Sequence, residues 1–561
     1  MQDHIIFLLY ILLFIHSTIG YGFLFSRMVN RELLQSNLGY IGLIGFFFIC
    51  LISIFSSFFI PHNFLHNSIF HVIGLVSFIF FFNKLKQFTE IKFLWLIFTI
   101  LLLGLYVFKN HDDFPYYHLT YALNLSENGF IIGTGQFSHG FRTFSSLFYF
   151  HSILYMPFID FYLFHSGPFI IILFFNFIII SKLFNNLKTG KINFIYFFSL
   201  LSVIFINIAF YRISEHGTDR SAQILLILIF IIFFEILYVE KNKNIILSKI
   251  YLLVIIVFLA SSMKAIYYLY LTLLPIIFYR KKLFKEIFIK KNFIIILFVS
   301  TSFFLNLSVS YFNTGCLLYP AQKTCVIEQE WSIEKSEVER MSIHYEWWAK
   351  AGGGPNYISE IEPEIYVKNF NWLNNWIERH FFNKVTDTLL GIIFISLFVL
   401  TLFIFFSTSK KKTNIKVDFI AYIVPIIFLI EWFLNHPSMR YGGYVLFAIP
   451  IFLITALKLQ ILNLKKKIIN ILSIFLILLS FTLYNTRNIV RLTKEINFYK
   501  YDLLKSPYFF VDNVDTSLVF RENDFKIYSP KNNQMCWASK TPCSYSKNLK
   551  VKKFLWMDMV Y

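Results

Sequence analysis

The sequence contains few charged residues for its length. Only 15% of its 561 residues are Asp, Glu, Lys or Arg, whereas 57% are apolar. A soluble chain of this size would form several domains, and roughly a quarter of its residues would be charged to cover their surfaces. The shortage of charge therefore excludes an ordinary soluble protein, and the apolar content excludes disorder. A polytopic membrane protein remains, because lipid replaces the missing polar surface.

Short motifs for nucleotides and metals are also missing. The chain has no CxxC, HExxH or Walker motif and no GxGxxG that opens a helix. The GGG at 352–354 lacks the strand and helix that a dinucleotide fingerprint needs. The net charge of +19 comes from short basic clusters between apolar runs. This pattern indicates membrane topology and argues against a nucleic-acid partner.

The apolar segments predict an all-α polytopic membrane protein with about fourteen transmembrane helices. Each segment approaches the length needed to cross about 30 Å of hydrocarbon. The first has Asp3 in front of it and no small-residue cleavage site, so we expect a retained span. The predicted spans lie near 5–25, 38–60, 64–82, 93–109, 166–181, 192–211, 221–239, 250–262, 265–279, 292–311, 386–407, 417–434, 441–457 and 468–484.

The distribution of Lys and Arg predicts which loops face the cytoplasm. Seven alternate loops hold 25 of the 51 basic residues, and such loops are normally cytoplasmic. Both termini are then expected outside. The segment 144–165 is predicted to lie along the outer interface as a helix broken by Pro157, because a span there would invert this pattern. The seven loops are 26–37, 83–92, 182–191, 240–249, 280–291, 408–418 and 458–467.

Five regions follow from this topology. We expect N-terminal transmembrane helices, a catalytic transmembrane core with acidic outer loops, an extracytoplasmic loop, C-terminal transmembrane helices and an extracytoplasmic tail. Four of the five cysteines fall in the two outer segments, where two close pairs could form disulfides in an oxidising compartment. The regions are 1–92, 93–311, 312–385, 386–484 and 485–561, and the pairs are Cys316 with Cys325 and Cys536 with Cys543.

Two acidic clusters lie in predicted outer loops. Polar residues are costly in such an apolar chain, so their clustering suggests function. The first cluster is HDDFPYYH at 111–118, and we expect one of its two aspartates to face a cavity with a raised pKa suited to a general base. The alternative for this cluster is a helix N-cap. The second is RISEHGTDR at 212–220, where the alternative is a solvated hairpin with salt bridges.

Two basic residues on the same side complete the set. Lys264 lies between two short predicted spans, so we expect an anionic partner or else snorkelling to the lipid headgroups. Arg440 opens a span within HPSMRYGGYVLFAIP at 436–450, beside Tyr441. Arginine suits bidentate phosphate binding, although ordinary interfacial anchoring is the alternative.

The order and common side of these motifs resemble the GT-C superfamily of integral-membrane glycosyltransferases. An acidic pair in an outer loop, a juxtamembrane helix and a second acidic loop precede a span with Arg, Tyr and Pro, and the resemblance covers about 95–450. It implies transfer of a sugar from a polyprenyl-phosphate donor to a glycan, lipid or protein acceptor, at the extracytoplasmic face of a membrane such as the bacterial inner membrane.

The resemblance also implies roles for individual residues. Asp112 or Asp113 would be the base or the carboxylate that positions the acceptor, Glu215 would be the second acidic residue of the catalytic site, and Lys264 with Arg440 would hold the donor phosphate. No cofactor is indicated with certainty, and a divalent metal stays open. The further candidates for substrate binding are His118, His216, Asp219, Arg220 and Tyr441.

Two other functions share the topology. A polysaccharide polymerase or ligase would depend on arginines in the large outer loop, but that loop has only Arg340 and Arg379 between 312 and 385. A polysaccharide or lipid transporter should show two similar halves and charges near the midplane. The sequence has no such repeat, so the glycosyltransferase is the favoured function.

Overall fold

The chain is a mostly helical polytopic membrane protein. The computed structural model describes residues 2–85, 88–288, 293–326, 328–353, 361–408, 417–522, 525–532 and 534–561. The α-helices in these ranges are α1 (Gln2–Val29), α2 (Leu38–Ser57), α3 (Phe64–Leu85), α4 (Phe88–Leu101), α5 (Leu119–Glu127), α6 (Ser146–Ser152), α7 (Ser166–Thr189), α8 (Phe194–Ala209), α9 (Ile213–Phe234), α10 (Lys243–Met263), α11 (Leu273–Lys281), α12 (Phe293–Thr314), α13 (Lys335–Lys350), α14 (Pro363–Tyr366), α15 (Leu373–Trp376), α16 (Thr386–Phe405), α17 (Ile420–Asn435), α18 (Gly443–Gln460) and α19 (Lys466–Tyr499).

Shorter elements connect these helices. The 3-10 helices cover Arg31–Gln35, Leu102–Gly104, Thr134–Gln136, His139–Arg142, Ala265–Thr272, Phe284–Phe288, Gln322–Thr324 and Met439–Tyr441. The π-helices cover Phe114–His118, Glu235–Val239 and Ile377–Val385. Two antiparallel hairpins lie near the C-terminus, formed by β1 (Thr516–Glu522) with β2 (Phe525–Pro530) and by β3 (Val551–Phe554) with β4 (Met557–Val560).

Ten helices among the described residues are long and apolar enough to cross a membrane. Twelve of the fourteen predicted spans coincide with these ten helices and with the shorter apolar helices α8 and α17. The other two differ from the prediction. In 93–109, α4 ends at Leu101 in a 3-10 turn, and in 265–279 eight residues of 3-10 helix precede the nine residues of α11.

The described residues of the predicted basic loops lie together at one end of the helix bundle, here called the basic end. Lys243 pairs with Glu286 at 2.6 Å, which joins loop 240–249 to loop 280–291. The Lys466 ammonium donates to the carbonyl of Lys188 at 3.0 Å, which joins loop 458–467 to loop 182–191. Asparagine side chains cap α2, α8 and α10 there, satisfying amides that the helix leaves free.

The opposite end, here called the site end, carries the acidic loops, α13 and the C-terminal tail. The tail packs against the first acidic loop, because the amide of Trp537 donates to the carbonyl of Pro115 at 3.0 Å. The predicted disulfides are present as Cys316–Cys325 and Cys536–Cys543, and the free thiol of Cys50 is buried in α2.

The structure differs in detail from two predictions about this end. The segment 144–165 does not cross the bundle, but its helix α6 is seven residues long, ends before Pro157 and is buried. The aromatic side chains of α6 pack inside the protein, such as Phe150, which stacks on Phe46 at 3.8 Å. The tail starts later than 485, because α19 continues to Tyr499 with Arg491 and Glu495 buried.

Candidate functional site

A cavity of about 1070 Å³ opens at the site end. Its walls come from the first acidic loop, the start of α9, the 3-10 segment after α10, α12, α13 and the turn before α18. The volume exceeds that of a single sugar ring several-fold. Most of the polar residues predicted from the sequence line this space.

Four charged side chains form the centre of the site and are here called the charge quartet: Asp113, Asp219, Lys264 and Arg440. Arg440 donates from Nε to Asp219 Oδ2 at 2.8 Å and from Nη2 to Asp113 Oδ2 at 3.3 Å. Lys264 donates to the other oxygen of Asp219. Two carboxylates thus balance two cations, as expected where water is scarce.

The backbone around Arg440 is held by a buried amide. Gln223 in α9 donates from its side chain to the carbonyls of Met439 at 3.3 Å and Arg440 at 3.0 Å. The ring of Tyr441 lies beneath Lys264, with Nζ 4.3 Å from the ring centroid. Cation–π contact adds to the ion pairs in fixing the lysine. Both basic residues are therefore pre-positioned on the wall of the cavity.

A glycine sets the position of Asp219. Gly217 has φ 55° and ψ −122°, which interrupts α9 in its first turns. A Cβ there would lie 3.2 Å from Cε1 of His118, so the close approach also favours glycine. Asp219 follows two residues later and is 5% exposed. The break thus brings a buried carboxylate of the second acidic loop next to the first loop.

Asp113 is ionised in this site, contrary to the expected raised pKa. Burial by itself raises its pKa, but the hydrogen bond from His111 and the charge of Arg440 lower it below its usual value. His111 Nδ1 lies 3.3 Å from Asp113 Oδ2. Burial lowers the pKa of His118 to about 4, despite the nearby carboxylates. Asp113 is therefore a weak base while it faces Arg440.

Asp112 and Glu215 do not have the geometry proposed for catalytic groups. The Asp112 side chain is 76% exposed, lies 3.9 Å from Lys109 and is not part of the cavity wall. Glu215 borders the cavity; Arg212 donates to its Oε2, and Arg491 Nη1 lies 3.2 Å from Oε1, which accepts no hydrogen bond among the described residues. These ion pairs tie the second acidic loop to α19, which is a structural role. The partner Arg491 is too distant in sequence to be predicted.

Arg220 differs from the quartet because it has no carboxylate within ion-pairing distance among the described residues. Its Nη1 is buried without a hydrogen-bond partner in the described part of the chain, and its guanidinium carbon lies 5.9 Å from the ring centroid of Phe210. The side chain lines the cavity and supplies one unbalanced positive charge. The side chain of His216 lies outside the described residues.

The sequence did not predict the upper wall of the cavity. Arg142 pairs with Glu337 at the start of α13 at 2.5 Å and so holds this helix over the site. Its last turns bring Tyr345 and Trp348 to the cavity, together with His380 from the π-helix before α16. The sequence feature that could have indicated this wall is the dense aromatic run HYEWW at 344–348, in an otherwise polar loop.

The donor set does not fit a bound divalent cation. Among the described residues no group of three or more His, Cys, Asp or Glu side chains is placed to hold a metal ion. The guanidinium of Arg440 lies between Asp113 and Asp219, where a bridging metal would need to be. The chemistry below therefore uses only the side chains of the chain.

Comparison with known proteins gives one family and no function. The model of the domain of unknown function DUF8201 matches residues 5–447, which include the charge quartet and most of the helix bundle. No curated protein and no solved structure matches the chain. Since this match covers well over half of the chain, the protein belongs to the DUF8201 family.

Proposed function

We propose that the protein is a membrane glycosyltransferase of GT-C type, which moves a sugar from a polyprenyl-phosphate donor to an acceptor at the extracytoplasmic surface. The observation that carries this proposal is the charge quartet at the wall of a large cavity, at the end of an apolar helix bundle. The donor needs cations at its phosphate and a carboxylate near the reacting sugar carbon, and both occur in one place.

The charges of the site match a phosphodiester. The quartet is neutral as a whole, and Arg220 is a further cation of the cavity wall without an ion-paired carboxylate among the described residues. A sugar linked to polyprenyl phosphate carries one negative charge, and a second develops as the bond between sugar carbon and phosphate oxygen breaks. We assign Arg440 and Lys264, the paired cations of the cavity wall, to the phosphate oxygen on which that second charge develops.

Asp113 and the donor phosphate compete for Arg440, and this competition gives Asp113 its role. When the donor phosphate draws Arg440 away, Asp113 loses one of the contacts that lower its pKa, while burial, which raises the pKa, and the hydrogen bond from His111, which lowers it, both remain. Asp113 then becomes a better acceptor for the proton of the attacking hydroxyl. The acceptor oxygen bonds to the sugar carbon, polyprenyl phosphate leaves, and the proton passes to the carboxylate. Donor binding thus prepares the base.

The proposal includes the orientation of the protein. The basic end would face the cytoplasm, in keeping with the clustering of Lys and Arg in its loops. The site end would then face the periplasm or cell exterior, where bacterial polyprenyl-phosphate sugars are consumed and disulfides persist. In this topology α4 and the segment 265–281 also cross the membrane. Together with the twelve helices that coincide with predicted spans, they would give fourteen crossings.

Mass spectrometry of the cell-envelope glycans and glycolipids tests the function in cells. Deletion of the gene should remove one sugar residue from a defined glycan, lipid or protein and should leave its precursor. The wild-type gene should restore the sugar, the Asp112→Asn gene should do the same, and Asp113→Asn should not. An unchanged glycan profile in the deletion strain would refute the proposal. Accumulation of a complete product on the wrong side of the membrane would favour a transporter.

A further inference from the structure

The turn of the second hairpin is exposed and apolar. Leu555 and Trp556 connect β3 to β4 and are here called the hairpin tip; their side chains are 72% and 56% exposed. The other apolar residues of this hairpin do find the protein core, because Val551, Met557 and Met559 pack into one buried cluster. Two large apolar side chains left together at the surface indicate a contact with something outside the chain.

The backbone of the tip supports this interpretation. Phe554 pairs with Met557, so Leu555 and Trp556 form a two-residue turn, and Leu555 has φ 57°. Glycine, asparagine and aspartate are the usual residues for positive φ in such turns, because this conformation is costly for a larger L side chain. Leucine therefore occupies a position that favours glycine. A strained residue whose side chain is exposed suggests a function beyond folding.

The tip lies at the outer end of α2. The indole nitrogen of Trp556 donates to the carbonyl of Phe58, the residue directly after α2, at 2.7 Å. The Trp556 ring stacks on Phe59 with 5.7 Å between centroids, and Phe59 contacts Phe55 in the last turns of α2 at 5.2 Å. Since α2 is long and apolar enough to cross a membrane, this aromatic column leads from a membrane-crossing helix to the hairpin.

The column continues a surface that faces lipid. Phe55, Phe59 and Ile60 at the end of α2 are exposed, as is Leu65 at the start of α3, which is also a candidate span. Exposed apolar side chains on membrane-crossing helices face the hydrocarbon. The tip adjoins this surface where α2 ends, which is the depth of the lipid headgroups. Tryptophan is enriched at this depth because its ring is apolar and its N–H is polar.

We propose that the hairpin tip inserts into the outer leaflet beside α2 and anchors the C-terminal tail to the membrane surface. Leu555 enters the apolar part of the leaflet, and Trp556 lies at the level of the headgroups. The partner is a lipid surface because the tip is continuous with the lipid-facing side of α2 and α3. This inference is independent of the proposed enzyme function.

The anchor is connected to the wall of the cavity. The amide of Val560 donates to the carbonyl of Ile132 at 2.8 Å, and the amide of Ile132 donates to the carbonyl of Asp558 at 2.9 Å. From Ile132 the chain continues to His139 and Arg142, which line the cavity. Insertion of the tip therefore fixes the hairpin against the segment that supplies this part of the wall.

Spin labelling of Leu555→Cys tests the insertion in nanodiscs of equimolar phosphatidylethanolamine and phosphatidylglycerol. The native cysteines should not react, because four form disulfides and Cys50 is buried. Lys335→Cys at the start of α13 is the reference for water, and Leu397→Cys, exposed in the middle of α16, is the reference for lipid. Power saturation compares collisions of the label with oxygen, which concentrates in lipid, and with a polar nickel chelate. The oxygen-to-nickel ratio at 555 should lie well above that at 335 and approach that at 397.

A second measurement uses Trp556 without a label. Its fluorescence is the difference between the wild-type protein and Trp556→Phe, and lipids brominated on their acyl chains should quench it. Leu555→Asp should reduce this quenching because a charge opposes insertion, whereas Leu518→Asp, at an exposed leucine of β1, should not. Leu555→Gly should unfold in detergent at the same or a higher temperature, since glycine adopts the positive φ without strain.

Three results would overturn the proposal. The first is a ratio at 555 equal to that at 335, together with unquenched Trp556. The second is a label at 555 that is shielded from both oxygen and the nickel chelate, since this would place a protein partner or a second copy of the chain on the tip. The third is a lower unfolding temperature of Leu555→Gly in detergent, which would show that Leu555 stabilises the protein itself. None of these results bears on glycosyl transfer.

Discussion

The substitution Asp113→Asn tests the proposed general base directly. The substitution keeps the size of the side chain but removes its negative charge. Two unit charges 3.3 Å apart, as in Asp113 and Arg440, attract with about 5 kcal/mol at an effective dielectric constant of 20. Solvent reduces this figure, because both side chains are about a third exposed (30% and 32%). Loss of this ion pair leaves Arg440 paired with Asp219 alone among the described residues.

The expected effect on turnover is larger than the effect on donor binding. General-base catalysis contributes about 10²- to 10⁴-fold, which corresponds to about 2.7 to 5.5 kcal/mol of the activation barrier. Asp113→Asn should lose at least that factor in kcat, while donor affinity stays equal or improves because Arg440 has one competitor fewer. Asp112→Asn is the matched control, and its 76% exposed side chain predicts a change within about twofold.

Single-turnover transfer in detergent with a fixed excess of enzyme measures this effect. Thermal unfolding of each variant controls for stability, since a helix cap would tolerate Asn and fail with Ala. Equal activity of the two Asn variants, or a larger loss for Asp112→Asn, would refute the assignment of Asp113.

Three further predictions concern pH, the phosphate contact and topology. The pKa of Asp113 is lowered on folding, so its contribution to stability is present above its unfolded pKa and is lost only as the pH falls below that value. We expect kcat/KM of the free enzyme to stay flat down to about pH 5. An acid limb near about pH 6 that is attributable to Asp113 would contradict this expectation. Arg440→Lys should weaken donor binding roughly tenfold while the protein still inserts, because lysine keeps the charge but loses the two-pronged contact; unchanged donor affinity would make Arg440 a membrane anchor. An impermeant thiol reagent should label Lys335→Cys and not Lys285→Cys from outside intact cells, and the reverse pattern would place the site end in the cytoplasm.

The helix bundle could be predicted because lipid imposes simple rules. Apolar length predicted the spans, and the alternation of Lys and Arg predicted which loops meet at the basic end. The rule fails where a segment is short. The stretch 265–279 has the composition of a span, but Lys264 must reach Asp219, and the chain forms 3-10 helix there in place of a full α-helix.

The site was predictable in part for a related reason. Charge is costly in this chain, so Asp113, Asp219, Lys264 and Arg440 were conspicuous, and the structure brings these four together. Distinguishing Asp113 from Asp112 required the turn of the π-helix that follows them, which local sequence does not specify. The contacts of α13 with Arg142 and with the cavity depend on how the loop 312–385 folds, and the sequence alone does not give them.

Some partners are far apart in the sequence. Glu215 meets Arg491 on α19, and His380 approaches Arg440 through the turn of Gly352 and Gly353 after α13. A single sequence carries the residue types of such contacts but not their pairing. The pairing with Arg491 gives Glu215 a structural contact, and its catalytic role stays a prediction.

The central claim is that the cavity transfers sugar from a lipid-linked donor. Purified protein in proteoliposomes, supplied with a panel of polyprenyl-phosphate monosaccharides and a total glycan extract from the deletion strain, tests it directly. We predict release of polyprenyl phosphate together with equal labelling of the glycan fraction for one donor, and loss of both with Asp113→Asn but not with Asp112→Asn. No release from any donor, or equal release by the Asp113→Asn protein, would contradict the account.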